Sequence, residues 1–450
     1  MKINAVILAA GQGTRMRSSL PKVLHPLLGK PLIDYALETA RQVTGSQPVV
    51  VIGHGAEQVR RAIGEAAVCV LQEPQLGTGH AVQQALVTLH GQADLVLVTY
   101  ADMPLLTADT LRRMVALQQA HDGPLTMLSV LADDPRGFGR VVRSPSGQVQ
   151  AIVEEAQATP EQLTIHELNS GVYCFQATWL WEALPRIPLS PKGEYYLTDL
   201  VGMAVAAGLA VQAVVAEDPS ELIGINTRVH LAEAESLLRG RINRQWMLTG
   251  VTLVDPATTY IEPGVTIGQD SIVWPNTHLR GSSAIGEGCE IGPNTIINDS
   301  QVGSGCTILA SVLEKATVED HVEIGPYAHL RKGAYLASGV HMGNFGEVKN
   351  SYLGPGTKMG HFSYIGDATI GEEVNIGAGT ITCNFDGVRK NPTQIGDGAF
   401  IGSDTMLVAP VTLGDGARTG AGAVVTKNVP PDTLVVGMPA RAIRKLKRSD

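Results

Sequence analysis

The chain has 450 residues and a net charge of −9, with 44% hydrophobic and 17% charged residues. This composition excludes a disordered chain, and the length allows two or three domains of ~150 residues each. No apolar run approaches the ~18 residues that a membrane span needs, and the acidic balance argues against a nucleic-acid partner. The five cysteines are scattered without CxxC spacing, which predicts a cytoplasmic protein without disulfides or structural zinc.

The first half of the chain alternates short buried strands with amphipathic helices. The predicted strands are Ala5–Ala10, Val49–Ile52, Leu95–Thr99 and Leu125–Val130, and the predicted helices are Leu32–Val43, Ala81–Leu89 and Thr107–Gln119. This alternation is typical of an α/β domain with a mainly parallel sheet. Because such sheets bind ligands at the carboxyl ends of their strands, we expect a site there.

The second half repeats with a period of six residues. Aliphatic side chains recur in phase from Ile261 to Ile297, then from Val318 to Met342, from Leu353 to Ile365 and from Ile395 to Leu413. A hexapeptide period predicts a parallel β-helix, in which each repeat places one aliphatic side chain inside the prism. The repeat stops at Thr382–Gln394, which we interpret as a loop that leaves the prism and could carry function.

One long helix is predicted between the two halves. Apolar residues in Thr227–Leu248 have helical spacing, with Arg and Glu on the other faces. We therefore predict a first domain at 1–227, a linker helix at 228–250 and a β-helix domain at 251–450.

A glycine-rich loop follows the first strand, at Gly11-Gln12-Gly13-Thr14-Arg15-Met16. Backbone N–H groups in such a loop can approach phosphate oxygens closely. Met16 occupies the place of the third glycine of a dinucleotide motif, and no Gly-Lys-Ser/Thr follows, so the loop fits neither familiar phosphate motif. An ordinary tight turn explains the same glycines. Arg15 and Lys22 add two cations, which suit a pyrophosphate leaving group.

Cations and a histidine also recur along the β-helix. Arg331 and Lys349 are 18 residues apart, about one coil, so they should stack on one edge and could bind a sugar phosphate. His361 and Tyr364 fall near the next coil. Since the unperturbed pKa of histidine is near ~6.5, His361 is a candidate general base, although a surface histidine is the simpler interpretation.

Several longer motifs carry a resemblance to a known family. These are LAAGQGTRM, LPKVLHPLLGKPL, LQEPQLGTGHA, GEYYLTD and NIGAGTITCNFDG. From about residue 4 to about residue 440 the chain resembles the bacterial bifunctional N-acetylglucosamine-1-phosphate uridyltransferases/glucosamine-1-phosphate N-acetyltransferases. The resemblance implies a Rossmann-like nucleotidyltransferase domain, a left-handed parallel β-helix and a homotrimer. It also implies synthesis of UDP-N-acetylglucosamine, a precursor of peptidoglycan and lipopolysaccharide.

For the first half, the resemblance implies a site that binds UTP, N-acetylglucosamine-1-phosphate and Mg²⁺. Asp102 and Asn226 would be the metal ligands, and Arg15 and Lys22 would neutralise the triphosphate. The residues implied to hold the nucleotide or the sugar are Leu8, Ala9, Ala10, Gly11, Lys22, Gln72, Gly77, Thr78, Tyr100, Asp102, Gly139, Glu154, Asn169 and Asn226. One departure is Ala101, where the family usually has glycine.

For the second half, the resemblance implies an acetyltransferase site with His361 as the base. Arg331, Lys349, Tyr364 and Asn375 would bind glucosamine-1-phosphate, and Ala378, Asn384, Phe385, Ser403 and Ala421 would border acetyl-CoA. Phe385 and Lys332 depart from the usual Tyr and Pro. The basic segment 441–448 could meet the phosphates of coenzyme A or be a solvated end.

Other interpretations remain open at this point. Asp102 could simply cap the helix at Thr107, and Glu154 could form a solvated pair with Glu155. A covalent acetyl-cysteine route through Cys383 is conceivable, but no histidine at nearby sequence spacing supports it, so we interpret Cys383 as a small structural residue. The whole chain could also be a different sugar-1-phosphate nucleotidyltransferase whose β-helix is regulatory and not catalytic. A binding protein without catalytic activity is a further alternative.

Overall fold

The computed structural model describes residues 1–446 and divides the chain into two compact units, Met1–Leu238 and a second unit that begins at Arg239. In the first, the strands are β1 (Ile3–Ala9), β2 (Pro26–Leu27), β3 (Lys30–Pro31), β4 (Val49–Ile52), β5 (Val68–Leu71), β6 (Leu95–Tyr100), β7 (Leu125–Leu131), β8 (Arg140–Arg143), β9 (Val149–Val153), β10 (Glu167–Gln176) and β11 (Val211–Val215). The helices are α1 (Leu32–Thr44), α2 (Ala56–Ile63), α3 (Thr78–Gln83), α4 (Leu86–Leu89), α5 (Ala108–Gln119), α6 (Pro160–Leu163), α7 (Ala177–Ala183), α8 (Asp199–Ala206) and α9 (Arg228–Leu248).

The first unit is built around a mainly parallel sheet in the order β11-β7-β10-β6-β1-β4-β5. Strand β1 lies parallel to β4 and β6, while β10 runs antiparallel to β6 and β7. Helices cover both faces: α1 and α5 pack on one buried cluster, and α3, α7 and α8 on another. The four predicted strands and the α/β fold are therefore confirmed.

One predicted helix is wrong in its extent. In place of a single helix over Ala81–Leu89 the structure has α3 and α4, because the N–H groups of Gln84 and Ala85 bond to carbonyls three residues back, at 3.2 and 3.0 Å. Those shorter-range bonds tighten the turn and interrupt the α-helical ladder. The helix also begins three residues earlier than predicted, directly after Gly77.

The second unit consists of short strands that wind around one core. They are β12 (Thr252–Leu253), β13 (Tyr260–Ile261), β14 (Thr266–Ile267), β15 (Ile272–Val273), β16 (His278–Arg280), β17 (Ala284–Ile285), β18 (Glu290–Ile291), β19 (Ile296–Asn298), β20 (Gln301–Val302), β21 (Thr307–Ile308), β22 (Val312–Glu314), β23 (Thr317–Val318), β24 (Glu323–Ile324), β25 (His329–Leu330), β26 (Ala334–Leu336), β27 (His341–Met342), β28 (Gly346–Lys349), β29 (Ser351–Leu353), β30 (Lys358–Met359), β31 (Ser363–Gly366), β32 (Ala368–Ile370), β33 (Asn375–Ile376), β34 (Ile381–Cys383), β35 (Thr393–Ile395), β36 (Phe400–Ile401), β37 (Met406–Val408), β38 (Val411–Leu413), β39 (Arg418–Thr419), β40 (Val424–Val425), β41 (Thr433–Gly437) and β42 (Ala440–Lys445).

These strands form three parallel sheets, and each coil contributes one strand to each sheet. The first sheet runs from β12 to β41, the second from β13 to β40 and the third from β14 to β38, and β42 closes the first as an antiparallel hairpin with β41. Every aliphatic residue of the predicted hexapeptide series lies in a single buried cluster. The left-handed parallel β-helix is thus confirmed.

The interruption of the repeat is a loop, slightly shorter than predicted. Strand β34 ends at Cys383 and β35 begins at Thr393, so residues 384–392 leave the prism. A backbone bridge between Phe385 and Lys390 closes this loop on itself.

Helix α9 begins where the sequence indicates. The hydroxyl of Thr227 accepts the N–H of His230 at 3.2 Å and so caps the first turn. Further along, the buried Asn243 side chain donates to the carbonyls of Pro256 and Thr259, both at 2.9 Å, and fastens the helix to the first coil. Within residues 1–446, every helix is too short or too polar to span a lipid bilayer.

Candidate active sites

A cavity of about 580 Å³ opens at the carboxyl ends of β1 and β6. Ten of the residues expected to bind nucleotide line it: Leu8, Ala9, Ala10, Gly11, Lys22, Gln72, Gly77, Thr78, Tyr100 and Asp102. The glycine loop is fixed by contacts that a larger residue would obstruct. Gly13 has a φ of +62°, and a Cβ there would lie 2.7 Å from the Cβ of Lys22. The loop therefore delivers the Lys22 side chain into the cavity.

Two motifs that lie far apart in sequence form one wall of this cavity. The N–H of Tyr195 donates to the carbonyl of Leu76, and the N–H of Gly79 donates to the carbonyl of Tyr195, both at 2.8 Å. Gly77 has a φ of +94°, and a Cβ there would lie 2.7 Å from the Tyr195 carbonyl oxygen. The buried Gln72 amide donates to the Gly77 carbonyl at 2.9 Å. Only glycine suits this turn, which holds Thr78 at the start of α3.

A second cavity of about 950 Å³ adjoins the first, and Thr78, Tyr100, Asp102 and Tyr196 line both. The residues expected to contact the sugar, Gly139, Glu154 and Asn169, line this larger cavity together with Asn226. One oxygen of Glu154 accepts the Thr198 hydroxyl at 3.3 Å. Burial, together with the charges of Asp102 and Glu154, raises the pKa of Tyr100 well above its usual value, so its hydroxyl stays protonated.

Lys22, Asp102 and Asn226 converge where the cavities meet. The ammonium of Lys22 forms an ion pair with the carboxylate of Asp102 and donates to the Asn226 amide oxygen at 3.2 Å. The backbone fixes the two acceptors, since the N–H of Ile225 donates to the Asp102 carbonyl at 2.8 Å. Two oxygens that already share a positive charge are suited to a hard divalent cation, which prefers carboxylate and amide oxygen ligands. Residues 1–446 contain no cluster of three or more His, Cys, Asp or Glu for a metal, so a cation here would need phosphate or water oxygens as well.

The structure does not match the alternative interpretations of Asp102 as a helix cap and of Glu154 as part of a solvated pair. The hydroxyl of Thr107 caps α5, so Asp102 is not the cap. The backbone N–H of Thr107 donates to the Glu221 carboxylate at 3.0 Å. Both Glu154 and Glu155 line the larger cavity, and each has a partner of its own: Glu155 pairs with Arg140 at 3.2 Å and Glu154 accepts from Thr198, so they are not simply a solvated pair.

Two other residues lie away from the cavities. Arg15 is exposed in the short turn Thr14–Met16 and lines neither cavity. Ala101 is fully buried in the core cluster beneath the sheet, and its methyl group lines neither cavity. The alanine in place of the usual glycine therefore leaves the cavity open.

In the second unit, Lys349 and Tyr364 lie on the adjacent strands β28 and β31 of one sheet, and Arg331 directly follows the neighbouring strand β25. Leu330 pairs with Val348 and Val348 with Ile365, which places Arg331 beside Lys349 as their spacing predicts. The structure adds Lys390, from the 384–392 loop, to this group. The charges of Lys390 and Arg331 lower the pKa of Lys349. Sequence reasoning missed Lys390 because no repeat position marks it, although it lies in the loop singled out above.

The loop is anchored by a carboxylate at the centre of this cationic cluster. Asp367 accepts the side-chain amides of Asn350 and Asn384, both at 2.6 Å, and lies 3.6 Å from the Lys390 ammonium. Asn384 also lies 3.5 Å from the Tyr364 hydroxyl. These contacts bring the loop residues and Tyr364 into one site.

Four residues with expected roles in acetyl transfer line up along one corner of the prism. Lys358 pairs with Asn375, Asn375 with Phe400 and Phe400 with Arg418, and each of the four residues lies three positions after one of these paired residues. His361, Ala378, Ser403 and Ala421 therefore occupy equivalent corner positions on successive coils. His361 is exposed and makes no hydrogen bond within the described residues. Phe385 is 60% exposed at the loop tip.

Three further observations concern the expected acetyltransferase site. Asn375 lies on β33 in the first sheet, between Lys358 and Phe400, and not on the sheet of Arg331, Lys349 and Tyr364. Burial raises the pKa of the Cys383 thiol, which disfavours the thiolate needed for a covalent route. The basic segment forms strand β42 through Lys445, and Lys447 and Arg448 lie outside the described residues.

Comparison with known proteins agrees with this organisation. Residues 5–171 match the MobA-like NTP transferase domain, and residues 264–299 and 392–427 match the bacterial transferase hexapeptide family (six repeats). Proteins named "Bifunctional protein GlmU" align over 436 residues: that of Trichlorobacter lovleyi is 49% identical and covers 96% of this chain and 95% of its own length. Those of Heliobacterium modesticaldum and Geotalea uraniireducens are 48% and 47% identical, with 97% and 96% of this chain covered and 95% of each relative.

Proposed function

The chain belongs to the family of the bifunctional GlmU proteins, and on this premise we propose that it makes UDP-N-acetylglucosamine in two steps, one in each half of the chain. In the β-helix, the amine of glucosamine-1-phosphate takes the acetyl group of acetyl-CoA. In the first unit, the resulting N-acetylglucosamine-1-phosphate reacts with UTP and releases pyrophosphate. The product supplies the synthesis of peptidoglycan and lipopolysaccharide.

For uridylyl transfer, the smaller cavity holds UTP and the larger cavity holds the sugar phosphate. The two share Asp102, so a phosphate oxygen of the sugar substrate meets the α-phosphorus of UTP at that point. A new P–O bond forms there, and the bond to the β-phosphate breaks. Because little covalent chemistry is required of the protein, catalysis depends on positioning and charge neutralisation.

Lys22 supplies one of the positive charges, and Arg15, exposed within the glycine loop, would meet the outer phosphates of the bound triphosphate. Enzymes with this kind of domain use a divalent metal. We propose that it is Mg²⁺, held by Asp102 and Asn226 together with phosphate oxygens. When bound, the ion neutralises charge on the α-phosphate and the leaving group. With the ion in place, Lys22 would contact phosphate oxygens instead of these two protein oxygens.

For acetyl transfer, the cationic group of Arg331, Lys349 and Lys390 binds the phosphate of glucosamine-1-phosphate. Acetyl-CoA runs along the corner formed by Ala378, Ser403 and Ala421, with its thioester beside His361 and its tail near Asn384 and Phe385. His361 removes a proton as the amine nitrogen attacks the thioester carbonyl, the C–S bond breaks and coenzyme A leaves with the proton as the free thiol. Direct transfer fits the raised pKa of Cys383.

We propose that the protein is a homotrimer with acetyltransferase sites between neighbouring prisms. Within one chain, Asn375 and Tyr364 lie on different sheets of the prism. A neighbouring copy could bring an Asn375 side chain to the Tyr364 side of this chain, and the hexapeptide repeats favour such assembly. The five free thiols support a reducing, cytoplasmic location.

The observation that carries the proposal is the convergence of Lys22, Asp102 and Asn226 between two cavities in a chain that also holds the His361 corner. The test supplies the protein with glucosamine-1-phosphate, acetyl-CoA, UTP and Mg²⁺ and follows free thiol and pyrophosphate together. Release of both, with pyrophosphate dependent on acetyl-CoA, is the expected result. If pyrophosphate formed from N-acetylglucosamine-1-phosphate but thiol release never occurred, the β-helix would be a scaffold and the acetyl-transfer step would be wrong.

A further inference from the structure

Asn169 lies on the floor of the larger cavity, at a point where the strand pairing of the sheet is irregular. It belongs to β10, whose pairing with β7 shifts register between Asn169 and Tyr173. The residue is only 5% exposed, yet it lines the larger cavity. A carboxamide in this place can present either its oxygen or its NH₂ group to a substrate, so its orientation decides which sugar groups it can bind.

The hydrogen bonds around Asn169 settle that orientation. The backbone N–H of Gly171 lies 3.1 Å from one terminal atom of the side chain, and the Tyr173 hydroxyl oxygen also lies 3.1 Å from that atom. A backbone N–H can only donate, so the atom that it contacts must be the oxygen, Oδ1. The Tyr173 hydroxyl must then donate to Oδ1 as well. Among residues 1–446 the Asn169 NH₂ group makes no hydrogen bond to the protein, so this group is available to the cavity.

Tyr173 contacts Asn169 from outside the cavity. It is fully buried and lines neither cavity, and burial raises the pKa of its hydroxyl well above the usual value, so the proton that it donates is retained. The turn itself is fixed from the other side by Tyr100. Gly171 has a φ of +79°, and a Cβ there would lie 2.9 Å from the Tyr100 ring.

We propose that Tyr173 is a positioning residue that makes Asn169 a hydrogen-bond donor to the sugar phosphate. At the point facing Asn169, the cavity then selects an acceptor oxygen, from a hydroxyl or an acetamido carbonyl, over a group that only donates, such as an ammonium. Glu154 complements it, because only one of its carboxylate oxygens is bonded to Thr198 and the carboxylate can accept a proton-bearing group of the same sugar. This inference rests on the proposed uridylyl transfer.

The test compares the wild-type full chain with Tyr173→Phe, which removes only the hydroxyl. Asn169 then keeps one of its two orienting bonds. We expect the KM for N-acetylglucosamine-1-phosphate to rise about three- to tenfold, while kcat and the KM for UTP stay unchanged, because one hydrogen bond is lost. In the same variant, the ratio of kcat/KM for N-acetylglucosamine-1-phosphate to kcat/KM for glucosamine-1-phosphate should fall. Tyr35→Phe is the matched control, since its buried hydroxyl donates to the Leu27 carbonyl at 2.7 Å outside both cavities.

A second variant keeps the test decisive if Tyr173→Phe does not fold. Asn169→Asp retains the oxygen that accepts from Gly171 and Tyr173 but replaces the NH₂ group with an acceptor. It should raise the KM for the sugar phosphate further than Tyr173→Phe does, again without a change in the KM for UTP. An unchanged sugar KM in a folded Tyr173→Phe protein, or equal losses toward UTP and sugar, would overturn the role of Tyr173. A wild-type protein that forms no UDP-N-acetylglucosamine would instead overturn the proposed function.

Discussion

The ammonium of Lys22 and the carboxylate of Asp102 form an ion pair at the boundary between the two cavities of the first unit. Both side chains are largely buried, with exposed fractions of 12% and 18%. The amide oxygen of Asn226 shares the same ammonium at 3.2 Å. The lysine therefore occupies the position in which the two oxygens would hold a divalent cation, and a cation bound there would have to displace the lysine from these acceptors.

Replacing Lys22 with Gln should distinguish the contribution of the lysine charge to catalysis from its effect on cation binding. We expect uridylyl transfer to fall by about 10²- to 10³-fold, because a charge that stabilises the transition state is lost. Acetyl transfer should be unchanged. The affinity for Mn²⁺ in the absence of nucleotide, measured by titration calorimetry, should rise because the competing ammonium is gone.

Lys30→Gln provides the control, since Lys30 pairs with Glu38 and lines neither cavity. Its rate and its Mn²⁺ affinity should match those of the wild type. A Lys22→Gln protein with normal uridylyl transfer would contradict the role assigned to this side chain.

Replacing His361 with Ala tests the second site. We expect release of free thiol from acetyl-CoA to fall by about 10²- to 10⁴-fold, the usual contribution of a general base. Formation of UDP-N-acetylglucosamine from added N-acetylglucosamine-1-phosphate should continue at the wild-type rate. His341→Ala is a matched control, because His341 is also exposed on the β-helix but pairs with Glu323 at 2.8 Å. Equal acetyl transfer by the two variants would remove His361 from the mechanism.

The β-helix core was predictable because each hexapeptide places one aliphatic side chain inside the prism, a local rule that needs no knowledge of distant contacts. The place of the first cavity was predictable for a related reason, because the carboxyl ends of parallel strands meet at one edge of the sheet. Most of the residues that line it were expected from the family resemblance and not from the strand pattern. Lys390 could not be found in this way, since only the folding of its loop onto Asp367 brings it to Lys349. The orientation of Asn169 likewise depends on a hydrogen bond from the Tyr173 hydroxyl across a β-bulge, and no periodic pattern in the sequence indicates that bulge.

Glu167 gives the first unit a pH-dependent contribution to its stability. Burial alone would raise the pKa of Glu167, but hydrogen bonds from Arg143 and Ser129, with the charge of Arg143, lower it below the usual 4.5. A carboxylate with a lowered pKa stabilises the fold above pH 4.5, and this contribution is lost as the pH falls through the folded-state pKa.

We therefore expect Glu167→Gln to reduce the free energy of unfolding by about 1–3 kcal/mol at pH 7, because two donors lose a charged acceptor. The difference from the wild type should shrink as the pH falls below 4.5. Denaturation by urea at several pH values, followed by circular dichroism, measures this. The exposed Glu57→Gln, in which only a surface pair with Arg60 is lost, serves as the control. A difference that grew at low pH would contradict the assignment.

Substitutions of two adjacent residues of the β-helix should affect protein stability and the binding of glucosamine-1-phosphate separately. Leu330 is fully buried in the prism, while the neighbouring Arg331 points outward and pairs with Glu347 at 2.7 Å. Leu330→Ala should lower the free energy of unfolding by about 2–5 kcal/mol, through lost burial and the cavity left behind. Arg331→Ala should leave stability nearly unchanged, since exposed ion pairs contribute about 0–1 kcal/mol, but should raise the KM for glucosamine-1-phosphate in the thiol-release assay. If Arg331→Ala left that KM unchanged, the sugar phosphate would bind elsewhere on the prism.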